Sequence, residues 1–464
     1  MVAGSALAFG AVHPFAYVPL WIASAVLALL VAWRAAEVRT LRARLGRTRI
    51  ALSGRRLLPG DNAGAAPGAW TFDLGWPLLP KGALLLPGVA FLAWVALQLL
   101  PFPAGWKVTS ASPSDTVRGM AFVAAALSIH GAAAAVFLHR PARLRFRRFV
   151  AALGLVLAVT GLVQLAGGAR RIYGYFEPYE RGSLFGPFAN RNHFAGYMLM
   201  VALVALDLLS RAWRRLRGSM GRRAGLRPAL VRLGTPEGAG LVYALVPAVA
   251  AVGALLATTS RGAIAAFVVA LALAGLGLRH RGDVPSWALG LLVVGMALAW
   301  FGMERLELRF DRAADDAPGR TIAWRDALQR MDGRWIAGWG FNTFGFSISR
   351  VTPWPLPEGA TPWPDWLDQA VARGERPGTR LPADLAGGGW YREAHNDYVQ
   401  LVVETGVPGL LIGLWAGVAV LRRARADPWL FAALASVLMH TFVEFDFQIP
   451  ALPVLFVTLA ALHT

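Results

Sequence analysis

The chain has 464 residues, 56% hydrophobic and 16% charged, with a formal net charge of +19 and no cysteine. A soluble domain carries nearer a quarter charged residues, so the composition excludes a water-soluble globular fold, and the lack of cysteine excludes disulfides, a thiol nucleophile and a thiolate metal site. The positive balance does not imply a nucleic-acid partner, because the arginines cluster at the ends of apolar runs.

A bilayer core of roughly 30 Å takes about 20 apolar residues to cross. Runs of that kind predict spans at 15–33, 82–100, 117–138, 149–166, 193–210, 241–257, 262–278, 285–301, 398–420, 429–443 and 450–463. Residues 1–12 are apolar but too short to span, and they lack the basic start and cleavage site of a secretory leader. Within the first long connection, 57–70 reads as a cytoplasmic linker. Segments 34–80, 139–148, 211–232, 279–284 and 422–427 hold 26 Arg and Lys, against 7 in 101–118, 167–192, 258–261 and 444–449. The positive side faces the cytoplasm, which sends the long loop 303–395 to the periplasm. The fold class expected is an all-α integral membrane protein, a polytopic helical bundle. Residues 1–302 and 396–464 form the bundle, and 303–395 forms one large periplasmic loop. In that loop, residues 320–331 can form a helix with Trp324, Leu328 and Met331 on one face, stopped at Asp332-Gly333. Gly338 to Gly345 reads as a tight turn. Residues 353–390, with Trp354, Trp363, Trp366 and Trp390, read as irregular; these rings suit sugar stacking or the lipid interface.

Candidate functional residues gather at the periplasmic rim. His395, in Glu393-Ala394-His395-Asn396-Asp397-Tyr398, heads an apolar helix, and His is the side chain best suited to take a proton near neutral pH. A lone His at such a place is more often a cap or a head-group contact. Arg191 lies in Asn190-Arg191-Asn192-His193, a loop running into a helix whose free amides suit an anion. Interfacial snorkelling explains Arg191 equally well. Arg261, in Thr258-Thr259-Ser260-Arg261-Gly262, sits on a short connection between two spans, where an unpaired cation is costly. His440 and Glu444, one turn apart, suggest a polar pair facing the bundle interior. His130 reads as packing. The carboxylates Glu444 and Asp446, and the pair Asp315-Asp316, are too weak a set to call a metal site.

Taken in order, Phe9 to Ala16, Gly186 to Gly196, Thr259 to Gly262, Arg320 with Trp324, Gly338-Trp339-Gly340, Glu393 to Tyr398 with Glu404-Thr405-Gly406, and His440 to Phe445 resemble the O-antigen ligase and Wzy-type polymerase superfamily. The resemblance covers nearly the whole chain. It implies about twelve spans, one more than counted here, and a fold like that of lipid-linked-sugar transferases of the GT-C type. It implies transfer of a glycan from undecaprenyl diphosphate to a hydroxyl acceptor, lipid A–core for a ligase or another lipid-linked repeat unit for a polymerase, without a cofactor or metal. It further implies that Arg191 and Arg261 hold the diphosphate and that His395 handles the acceptor hydroxyl. Asn190, Asn192, His193, Ser260, Arg320, Asn396, His440 and Glu444 take supporting places. The surrounding membrane lipid is the remaining partner. An O-antigen-ligase-like activity is the favoured expectation, with an exopolysaccharide polymerase close behind. A bicarbonate-type transporter is the rival of a different class; it predicts polar residues at mid-bilayer, where this chain is nearly all Ala, Leu, Val and Gly.

Overall fold

The computed structural model describes residues 1–8, 15–27, 29–30, 82–138, 140–168, 171–176, 184–220, 234–279, 324–325, 327–345 and 393–463. The predicted span 285–301, the linker 57–70, Arg320, Asp315-Asp316 and the Trp-rich stretch 353–390 lie outside the described residues.

Each other predicted span is met by a helix. The short helix α1 (Val2–Leu7) is followed by α2 (Phe15–Leu27), α3 (Leu85–Leu97), α4 (Pro113–Val136) and α5 (Arg140–Ala166). Then come α6 (Arg191–Met220), α7 (Pro236–Ala257), α8 (Arg261–Arg279), α9 (Asp397–Ala424), α10 (Pro428–His440) and α11 (Ala451–Ala460). Among them α4 to α9 are long and apolar enough to cross a membrane, while α2, α3, α10 and α11 are shorter apolar helices. The protein is an all-α, multi-pass membrane protein. The helices start where local chemistry demands it. Asn396 accepts from the amides of Tyr398 and Val399, and Asp427 from that of Leu430, while Pro occupies the first helical position of α4, α7 and α10. Some boundaries depart from expectation: α5 begins at Arg140 and α6 runs on to Met220, both beyond the predicted spans, while α10 stops at His440 and 441–443 turn instead of extending the span.

The centre of the bundle is α6. From Phe194 to Leu206 every residue described is buried, because a helix apolar on all faces is stable only when surrounded. Helices α5, α7, α8 and α10 pack around it. At one end of the bundle lies a buried charge cluster that the sequence reading missed. Arg147 of α5 pairs with Asp207 of α6 and, at 2.7 Å, with Asp427 at the start of α10. Arg211 reaches the same two carboxylates at 2.8 and 3.3 Å. Burial pushes the Asp427 carboxyl up, but the hydrogen bond from His463 and the charges of Arg147 and Arg211 outweigh it and hold the group below the usual carboxylate range. A carboxylate at position 207 in the otherwise apolar stretch 194–209 was the signal available. The cluster brings Arg147, Arg211 and Asp427, one from each of three Arg-rich connections, together at one end of the bundle.

Candidate active site

Of the site residues singled out from the sequence, those that the structure describes lie at the opposite end, on helix termini and the turns between them. Around His395 the chain is fixed at each neighbouring residue. Gln400 Nε2 donates to Glu393 Oε2 at 2.7 Å, and Ala394 N donates to Gln400 Oε1 at 3.1 Å. Trp324 Nε1 donates to Ala394 O at 2.6 Å. Asn396 caps α9, Asp397 N donates to Thr441 O at 2.9 Å, and Phe447 N donates to Asp397 Oδ2 at 3.0 Å. Between these anchors His395 adopts φ 50°, a left-handed conformation uncommon for any residue but Gly. Such strain persists where neighbouring contacts over-determine it. The side chain is 30% exposed, with Nδ1 3.3 Å from Glu444 Oε2 and the ring set edge-on against Phe445 at 4.7 Å.

Glu444 is buried and is shared. Asn192 Nδ2, in the first turn of α6, donates to Glu444 Oε1 at 2.7 Å, while Oε2 faces His395. Asn190 accepts from Asn192 N at 2.8 Å and so sets the start of α6, with Arg191 at its first position. The expected His440–Glu444 pair is replaced by two sets of partners. His440 Nδ1 lies 2.6 Å from Asp446 Oδ2, and His193 Nδ1 lies 3.4 Å from Asp446 Oδ1. The Asp446 carboxylate fills the space over Gly196, where a Cβ would stand 2.7 Å from Oδ2. Burial raises the tendency of Asp446 to stay protonated, but His440 and His193 outweigh it, so its carboxyl lies below its ordinary value. Phe445 is wedged between His193 (4.3 Å) and His395 (4.7 Å).

Arg261 opens α8 at this same end. Thr259 turns the chain with φ 54°, and Ser260 N donates to Thr258 Oγ1 at 3.2 Å. The next residue, Gly262, lies against the turn after α10: a Cβ there would stand 2.6 Å from Val443 Cγ2 and 3.4 Å from His440 Cδ2. Thus Asn192 and Gly262, the immediate neighbours of Arg191 and Arg261, both touch the 440–444 turn that also meets His395. His130 lies elsewhere, packed with Nδ1 2.8 Å from Val457 O.

The sequence reading missed what anchors the loop before His395. Helix α9 is interrupted at Gly406 (φ 68°, ψ −176°). The carbonyls freed there are taken up from outside the helix. Trp339 N donates to Val403 O and Gly340 N to Glu404 O, each at 2.9 Å, while Trp94 Nε1 donates to Thr405 O at 2.8 Å. The buried Glu404 carboxylate accepts from the amides of Asn342 (2.8 Å) and Phe344 (3.0 Å). The Glu-Thr-Gly element is therefore a dock for the 335–344 turn. A carboxylate two residues before Gly406-Val407-Pro408 was its visible trace.

A cavity of about 800 Å³ opens beside His395. Its polar end is formed by His395, Glu393, Asp397, Asn342 and Arg118, and its depth by apolar side chains of α3, α4, α9 and α11. Neither Arg191 nor Arg261 lines it.

The O-antigen ligase family model matches residues 246–362. That match supports the resemblance of the chain to the O-antigen ligase and Wzy-type superfamily. The matched segment carries Arg261, Trp324 and the Gly338–Phe344 turn, while Arg191 and His395 fall outside it. No curated protein matches the chain. What goes with this superfamily is glycan transfer of the ligase or polymerase type, on lipid-linked glycans and their acceptors.

Proposed function

We propose that the chain transfers a glycan from an undecaprenyl-diphosphate-linked donor to a hydroxyl acceptor at the periplasmic face of the inner membrane. The observation that carries this reading is the convergence of His395 and the neighbours of Arg191 and Arg261 on the single turn 440–444. In the reaction the acceptor oxygen bonds to the anomeric carbon as the bond from that carbon to the diphosphate oxygen breaks. The electron pair leaves with the diphosphate, and the hydroxyl proton passes to His395. With Nδ1 turned toward Glu444, Nε2 is the nitrogen left to accept it, and the Glu444 carboxylate favours the imidazolium that results. Arg191 and Arg261 are assigned the departing diphosphate, since guanidinium forks match phosphate oxygens and stay charged. A single displacement inverts the anomeric centre, and the scheme calls on no cofactor or metal. The remaining residues named from the sequence act by position. Asn190 and Asn192 set the start of α6 and hold Glu444, Asn396 caps α9, Ser260 leads into α8, and His193 and His440 hold Asp446. A GT-C-like arrangement of the bundle fits this reading.

A lipid A–core acceptor makes the chain an O-antigen-ligase-like enzyme, and a second lipid-linked repeat unit makes it a polymerase. Both use the same donor site. A small-anion carrier fits less well, because, His130 aside, the buried charged and imidazole side chains among the described residues sit in two groups, one at each end of the bundle. The test is incubation of purified protein with an undecaprenyl-diphosphate-linked glycan and either acceptor, read by product mass. A glycosylated acceptor is expected. A preparation that binds the donor yet yields no product with any hydroxyl acceptor overturns the proposal.

A further inference from the structure

The proposed chemistry needs two substrates, and the assigned arginines account for one. The cavity beside His395 has a different character from the Arg191–Arg261 side. Among the described residues Arg118 is the only Arg or Lys in its lining, and His395 the only imidazole. Arg118 Nη1 meets Asp115 Oδ1 at 3.0 Å, and its side chain is 53% exposed, so most of its donors point away from that partner. Its backbone is held in place, because the 341–342 turn lies directly on the next residue. A Cβ at Gly119 would stand 2.7 Å from Phe341 Cδ1 and 2.8 Å from Asn342 Cβ. Asn342 Nδ2 also donates to Asp115 O at 3.0 Å. The cavity's three carboxyl side chains are each tied into the protein's own hydrogen bonds: Glu393 accepts from Gln400 Nε2, Glu404 from two amides and Asp397 from Phe447 N, which leaves Arg118 as the lining's donor-only charged group.

Below this polar mouth the cavity runs down α4 from Arg118 to Leu127, nine residues of about 1.5 Å rise each, or about 14 Å. Phe91, Phe122, Ile412 and Phe456 are among its walls. A mouth with one arginine whose donors are only partly used, over an apolar shaft, suits an amphiphile with an anionic group on its head. His395 is common to this cavity and to the Glu444 contact, so it stands where the two substrates must meet.

We propose that this cavity is the acceptor site, and that Arg118 recognises an anionic group, a phosphate or carboxylate, on an acceptor anchored by an apolar tail. The proposal rests on the transferase reading only for the word acceptor; the binding it describes is measurable without turnover. The full chain in lipid nanodiscs is titrated with a lipid-anchored disaccharide bearing one phosphate, with its unphosphorylated twin, and with farnesyl diphosphate as a donor-like anion. In the wild-type chain the phosphorylated disaccharide binds about tenfold or more tighter than its twin. Arg118→Gln removes that preference and leaves farnesyl diphosphate binding within about twofold, whereas Arg261→Gln weakens farnesyl diphosphate and spares the disaccharide. Thermal unfolding confirms that each variant is folded. Equal binding of the two disaccharides by the wild type overturns the proposal without any variant. Loss of farnesyl diphosphate by Arg118→Gln, alone or together with the disaccharide, places Arg118 at the donor and overturns it as well. No effect of Arg118→Gln leaves a solvated surface charge and has the same consequence. If all three probes bind as expected but no transfer occurs, it is the transferase reading that fails.

Discussion

Replacing Glu444 by Gln tests how His395 is held. The change keeps the side chain's length and removes its charge. Asn192 Nδ2 donates to Oε1 at 2.7 Å, so the amide oxygen of Gln is drawn to that side and its NH2 is turned toward His395 Nδ1, 3.3 Å away. An NH2 there donates to Nδ1 and moves the imidazole proton to Nε2, the nitrogen that has to accept one. The imidazolium also loses its carboxylate partner. A hydrogen bond to a charged group is worth about 1.5–3 kcal/mol, and each 1.36 kcal/mol on a barrier is about tenfold in rate. The long contact and the partial exposure of His395 favour the lower part of that range, so kcat falls roughly ten- to fiftyfold. Donor and acceptor KM stay within about threefold, since Glu444 is assigned to neither substrate. The assay is steady-state transfer by purified protein at saturating acceptor, with thermal unfolding alongside. Unchanged kcat in a folded Glu444→Gln protein refutes the dyad. A loss confined to KM refutes it too, because it assigns Glu444 to binding.

Three further outcomes follow from the geometry. Arg261→Lys keeps the charge but not the fork, and loses roughly ten- to a hundredfold in transfer at limiting donor with the fold intact; full activity removes Arg261 from the diphosphate. Gly406→Ala forces a Cβ to within 2.0 Å of Ile336 O at φ 68°. It destabilises the protein by more than about 2 kcal/mol and undocks the 335–344 turn, seen as a lower unfolding temperature and faster proteolysis within 335–344; an unchanged melting curve contradicts the dock. Because the chain has no cysteine, single-cysteine labelling is clean. Tyr175→Cys is expected to react with an impermeant thiol reagent in cells whose inner membrane is intact and Arg425→Cys is not, and the reverse pattern inverts the topology.

The fold was legible because its dominant force is the simplest one. Apolar runs of bilayer length can only be helices in lipid, so each predicted span that falls on described residues meets a helix, with ends that shift where local sequence overrides hydropathy, as at the turn after His440. The site's members were legible as motif ends: Asn190 to His193, Ser260-Arg261, His395-Asn396 and His440 to Glu444 all occupy helix termini at one end of the bundle. Their partners were not. Periodicity gives the face of one helix but not which residue of another helix meets it, so Glu444 was paired in sequence with His440 while its carboxylate in fact joins Asn192 and His395. The same limit hid Gln98, whose Nε2 donates to Glu404 O at 2.9 Å across 306 residues. It also hid Arg118, which resembles any arginine at the start of a span until the cavity beside it is seen.

His395→Asn bears most directly on the mechanism. Asn tolerates the left-handed backbone that His395 adopts at φ 50°, so the substitution changes the chemistry and spares the conformation. Asn can hydrogen-bond but cannot take up a proton. With a radiolabelled lipid-diphosphate donor prebound to purified protein, one turnover is followed after adding the acceptor. The expected result is unchanged donor binding with transfer slowed by about 10² to 10⁴, the usual worth of general-base assistance. Near-normal transfer by the Asn protein contradicts a proton-accepting role for His395 and leaves the site only its arginines.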